Sequence, residues 1–173
     1  MTISLYDMSV VVYQQILAST SAVLSKGKVH AEANGIDLDA LLETRLAEDM
    51  LPLRFQMIST AHHSLGAIQG IKAGVFGPPS MHPDLDYDGL HGLISAAQDE
   101  LTQVSADEVN ALLGQDMRFE FGDMKVPFTA EGFIASFSLP NFFFHAATTY
   151  NILRQQGTPL GKMDFLGAMQ VKS

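Results

Sequence analysis

The feature that most constrains this chain is the stretch Gly132 to Leu153, 22 residues without one formal charge. It is long enough to cross a bilayer. It also contains Ser136, Ser138, Pro140, Asn141, His145, Thr148, Thr149 and Asn151, and no cluster of Lys or Arg flanks it. Those groups are costly in hydrocarbon, so a central helix buried in protein is the better reading. The uncharged run Met8 to Ser25, broken by Gln14, Gln15 and Ser-Thr-Ser, also reads as a core helix.

The rest of the pattern supplies that helix with partners. Leu5, Met8, Val12, Ile16 and Val23 recur at helical spacing and predict helix one, with Gly27 interrupting it. Asp37 can cap a short helix over Leu38 to Thr44. Asp49 can cap helix two, with Pro52 in its first turn and an end near Lys72. Gly74 to Pro83, with two Gly and three Pro, reads as loop. Leu90, Ile94, Ala97, Leu101 and Val104 mark helix three, and Ser105-Ala106-Asp107-Glu108 opens a short turn. The period then changes to two, with Met117, Phe119 and Phe121, a Gly122-Asp123 turn and a return through Met124 to Phe128. Such a hairpin is marginal alone and must pack on the helices or pair elsewhere. Thr129 can cap helix four, Ala130 to about Gln156, with a kink at Pro140 and an end at Gly157. The fold expected is all-α, a four-helix bundle with one small β-hairpin between helices three and four, as a single domain over 1–173.

Composition narrows the function classes. With 173 residues the chain can bury a full core, and with no Cys it has no thiolate metal site and no disulfide. That absence and an N-terminus without a basic segment lead to the expectation of a cytoplasmic protein without a membrane span. A net charge of -9 with scattered bases argues against nucleic acid. The low charged fraction, 17%, together with 11 Phe and 9 Met, predicts surface withdrawn from water, hence a homodimer.

The chemistry concentrates on helix four, where Ser138, Asn141, His145 and Thr149 recur at three- and four-residue spacing. Buried polar groups must be paired or cost about 1 to 3 kcal/mol each, so this ladder either bonds across the helices or lines a small-molecule pocket. On helix two a wheel centred on Ile58, Ala61, Leu65 and Ile68 puts His62 toward the core and turns His63 out toward solvent. His62 and His145 could therefore face one another as ligands of a divalent metal, zinc or nickel. No third histidine stands a turn from His145, where Asn141 and Thr149 lie, and Asp49 or Glu48 would serve only if the fold brought one near. No obligatory cofactor is expected.

The run Leu139-Pro140-Asn141-Phe142-Phe143-Phe144-His145, continued by Thr148, Tyr150, Gly157, Leu160-Gly161-Lys162 and Asp164-Phe165-Leu166-Gly167, resembles an uncharacterised family of the DinB-like superfamily. Asp49-Met50-Leu51-Pro52-Leu53, Gln56 and the Ser4-Leu5-Tyr6-Asp7 opening extend the likeness over nearly the whole chain. The resemblance implies an up-down-down-up bundle with one crossing connection, commonly a homodimer. Better-known DinB-like proteins hold a divalent metal through one histidine on helix two and a His-x-x-x-His pair on helix four, and some are thiol-dependent transferases or isomerases. Here His62 or His63 would match the first ligand and His145 one of the pair, with Asn141 or Thr149 at the other position. Three readings follow: a dimeric bundle with a small-molecule pocket lined by Ser138, Asn141, His145, Thr149 and His62; a metal-dependent transferase or hydrolase; and a purely structural bundle with a satisfied polar core.

Overall fold

The computed structural model describes residues 3–172. Ser4 and Asp7 form a reciprocal capping box that opens α1, Leu5–Met8. Next comes α2, Val10–Asn34, which Gly35 closes in the left-handed conformation at φ 67°. Helix one therefore does not stop at Gly27. A Cβ at that position would stand 2.9 Å from Leu153 Cδ2 and 3.1 Å from Tyr87 Oη. Gly27 is a notch for two neighbouring side chains, and that close approach offsets the roughly 1 kcal/mol of helix propensity that glycine forfeits.

Asp37 caps α3, Leu38–Leu42, as expected. The start of α4, Leu53–Ala61, differs from expectation: Pro52 itself is the N-cap residue, and Asp49 lies outside the helix. The Gln56 side chain donates back to the Leu51 carbonyl and holds the entry in place. The rod continues through a π turn, His62–Gly66, into α5, Ala67–Ala73. Asp86 caps α6, Tyr87–Thr102, and α7, Ala106–Asn110, is the short helix expected there.

Thr129 caps α8, Ala130–Phe133, as predicted. A second π turn, Ile134–Ser138, leads into α9, Leu139–Gln155. This irregularity has a covalent cause. Pro140 lacks an N–H, and its ring would strike the carbonyl four residues back in α geometry, so the preceding turn widens instead. The last helix, α10, Lys162–Leu166, packs on α2.

Three strands form a small mixed sheet in the order β1 (Val75–Phe76), β2 (Asp116–Phe121) and β3 (Met124–Thr129). The hairpin β2–β3 is antiparallel, with Phe119 opposite Val126, and β1 runs parallel to β2 with Phe76 opposite Phe119. The all-α expectation is thus corrected to a mostly helical fold with a three-stranded sheet. Part of the segment read as loop supplies the third strand, because a two-stranded ribbon alone leaves Met117 and Phe119 without enough cover. Among the helices α2 packs on α6, α6 on α4, α4 on α9 and α9 on α2, enclosing one core. Leu5–Asn34 is apolar and long enough to cross a bilayer by length and composition, yet 50% of its most apolar window is buried within this fold.

Candidate functional site

Where α4 meets α9, the buried surface is unusually polar. Gln56, Thr60, His63 and Ser64 come from the α4 rod, and Ser138, His145, Thr148 and Thr149 from the α9 rod. Helical spacing aligns each set on one face. The His145 ring lies 5.8 Å from the His63 ring, nearly parallel to it at 19°. Phe55 and Phe144 present their rings to His145, and Phe76 and Phe137 border His63.

The protonation pattern of His145 follows from its neighbour. Gln56 Nε2 donates to the Leu51 carbonyl at 2.7 Å, which leaves Gln56 Oε1 as the atom 2.7 Å from His145 Nδ1. An amide oxygen only accepts, so Nδ1 carries the proton and Nε2 keeps its lone pair. Burial holds the His145 pKa down at about 4. For His63 burial, reinforced by His62 and His145, lowers it to about 3. Both rings are neutral at pH 7. The Nδ1 of His63 is buried without a hydrogen-bond partner, as is the Thr149 hydroxyl.

Placing His63 here overturns the expectation that it faces solvent, since it is 7% exposed. The wheel was centred on apolar residues, but the face of α4 turned to α9 is the one carrying Gln56, Thr60 and His63. Ile58, Ala61 and Leu65 point instead toward α6, and His62 goes with them. His62 is half-buried, stacks on Phe76 at 4.3 Å and donates from Nε2 to the Gly77 carbonyl at 2.7 Å. It does not face His145 across the helices in the manner expected.

The remaining predicted residues divide in the same way. Ser138 is fully buried and bonds Tyr13 Oη and the His63 carbonyl, each at 2.7 Å. Desolvation raises the Tyr13 pKa well above the usual phenol range. Asn141 is half-buried and donates its amide to the Phe137 carbonyl of its own helix. Thr148 donates to the Phe144 carbonyl.

A family model described as "Domain of unknown function (DUF1993)" matches residues 5–166. The chain belongs to that family. A solved DinB family member protein from Shewanella denitrificans is similar to this DUF1993 chain, at 27% identity, with 98% of this chain and 95% of that chain covered and a TM-score of 0.78. The DinB-like resemblance of the sequence is thus matched in three dimensions. Comparison with curated proteins gives no match.

The donor set of this DUF1993 chain does not complete a metal triad. No group of three or more His, Asp or Glu converges among the described residues. His62 has committed Nε2 to Gly77, and Asn141, the alternative to a second helix-four histidine, has turned its amide nitrogen to Phe137. Glu48 and Asp49 are exposed in the turn before α4. Two neutral imidazoles remain, one short of the three protein ligands of a catalytic zinc site. Sequence reasoning missed Gln56, Tyr13 and Phe76 as parts of the site. Gln56 carried a usable signal, a long polar side chain three and seven residues before Ser59 and His63 on one helical face.

Proposed function

We propose that this protein binds a small, neutral, hydrogen-bonding molecule beside the His63 and His145 imidazoles, between α4 and α9. The observation that carries the reading is the pair of uncommitted ring nitrogens: His145 Nε2, left as an acceptor by the Gln56 bond, and His63 Nδ1, buried without a partner. A buried polar atom left alone costs about 1 to 3 kcal/mol, and a ligand hydroxyl or amide that meets it recovers that cost. The flanking Phe55, Phe137 and Phe144 favour a ligand with an apolar or aromatic body. Histidines held at about 3 and about 4 are weak bases at pH 7, which supports binding over proton abstraction.

In the same reading the protein is a cytoplasmic homodimer with the four long rods as its bundle. Support comes from Phe143 and Phe144, 39% and 54% exposed on α9 next to His145. Light scattering on Phe144→Glu is expected to show a monomer where the parent is a dimer; a monomeric parent would discard this part.

The binding test is histidine nitrogen NMR with a fragment set of neutral alcohols, amides and phenols. Expected are a His145 Nδ1–H tautomer, both rings neutral at pH 5.5, and binders whose shifts map to His63, Phe137 and His145. No shift from any fragment, or shifts that survive His145→Leu, would refute the reading.

A further inference from the structure

The α4 rod has a second built face, independent of the imidazole pair. A cleft of about 250 Å³ opens between the rod, α6 and the segment 77–83. Its floor is apolar, made by Ile58, Ala61, Leu65, Leu93 and Ala97. Around its rim stand Gln69, Ser80, His82 and Glu100, none of whose side chains bonds another described residue. Glu100 enters no ion pair among the described residues, although seven ion-pair contacts occur elsewhere.

Three features border the cleft. The π turn His62–Gly66 lies along it, and such turns recur at functional sites. His62 pins the segment above by donating to Gly77, and its ring fits because residue 66 is glycine: a Cβ there would stand 3.1 Å from His62 Nδ1. His82, on the rim, holds a φ of 37°, the only positive φ of a non-glycine among the described residues.

We infer that this cleft is a binding site for a small primary amine with an apolar body, the ring or alkyl part on the Ile58, Leu65 and Leu93 floor and the ammonium at Glu100 and Gln69. The rim offers acceptors, a carboxylate, an amide oxygen, a hydroxyl and an imidazole, and its only formal charge is negative. An overall charge of -9 draws cations and repels anions. The volume suits one six-membered ring with a short arm.

Amide NMR titration with benzylamine tests this, with benzyl alcohol and phenylacetate as equal-sized comparators. Benzylamine is expected to shift Ala61, Leu65, Leu93 and Ala96, benzyl alcohol to bind more weakly, and phenylacetate to leave the spectrum unchanged. Glu100→Gln is expected to weaken benzylamine about threefold to fivefold, the scale of one partly exposed charge pair. Ala96→Phe, placed on the exposed rim where the fold does not depend on it, is expected to fill the cleft and abolish binding. His145→Leu is expected to change nothing here, which separates this site from the imidazole pair. Absence of shifts, equal binding of amine and alcohol, or undiminished binding in Ala96→Phe would each overturn the inference.

Discussion

His62 and His63 are neighbours in sequence with rings 5.5 Å apart, yet they serve two adjacent sides of one rod. His63 faces α9, where the surface is buried and polar and leaves His63 Nδ1 and the Thr149 hydroxyl without partners. His62 faces α6, where the floor is apolar, the rim polar and the cleft open. The contrast shows that this rod buries polar residues such as Gln56, Thr60 and His63 as fully as apolar ones such as Met57, Ile58 and Ile68. A hydrophobic wheel finds the buried Ile58 and Ile68 but misses the buried polar face beside them. The two sides are joined through Phe76, which stacks on His62 and also touches His63, Phe119, Phe133 and Phe137.

Removing that junction should have the largest effect. Phe76 is 4% exposed, so Phe76→Ala is expected to cost about 3 to 5 kcal/mol, lowering Tm by roughly 10 °C in thermal unfolding. Phe76→Leu should recover about half. A loss below 1 kcal/mol would mean that the two sides are not coupled through this ring.

On the α9 side alone, Ser138→Ala leaves Tyr13 Oη and the His63 carbonyl without their bonds to Ser138. Each orphan costs about 1 to 3 kcal/mol, so a total loss of about 2 to 4 kcal/mol is expected in denaturant unfolding. Adding Tyr13→Phe should cost less than its effect in the parent, because the hydroxyl it removes is already orphaned. Strict additivity would show that Ser138 and Tyr13 do not act through one hydrogen bond.

Acid acts through charge, and burial lowers the pKa of His62 as well as those of His63 and His145. The folded pKa values of His63 and His145, about 3 and about 4, lie below the ordinary 6.5. Between those values and 6.5 the unfolded chain binds protons that the fold refuses, so stability is complete above pH 6.5 and falls as pH drops toward 4. At pH 5.5 each histidine is expected to take away about 1.4 kcal/mol. Replacing His63 by Leu should flatten the slope by one proton, measured as Tm between pH 4 and 8. An unchanged slope would place the His63 ring in water.

Much of this organisation was legible in the sequence, and the gaps have physical reasons. Capping residues act within one turn of chain, so Asp37, Asp86 and Thr129 mark starts wherever they fall before a periodic run; Asp37 and Thr129 were read correctly. The uncharged helix carrying His145 was identified as buried because nothing else tolerates its composition. Gly27 and Val75–Phe76 were misread because their roles are set by residues far along the chain, Leu153 for the one and Arg118 and Phe119 for the other. The π turns escaped for a different reason. Pro140 announces a disturbance in its helix, but the repeat of the sequence does not reveal whether the chain bends or widens.

The smallest effect is expected on the open side. His62→Asn removes the bond to Gly77 and the stack on Phe76 from a half-buried position, so global stability should fall by only about 1 kcal/mol. Its local consequence should exceed its global one. With the strap to residue 77 gone, amide hydrogen exchange is expected to speed up over 77–83 while α9 and the imidazole pair keep their protection. Loss of protection spreading to His145 and Thr149 would show that His62 supports both sides of the rod, and the division between a bonded face and an open one would then fail at its boundary.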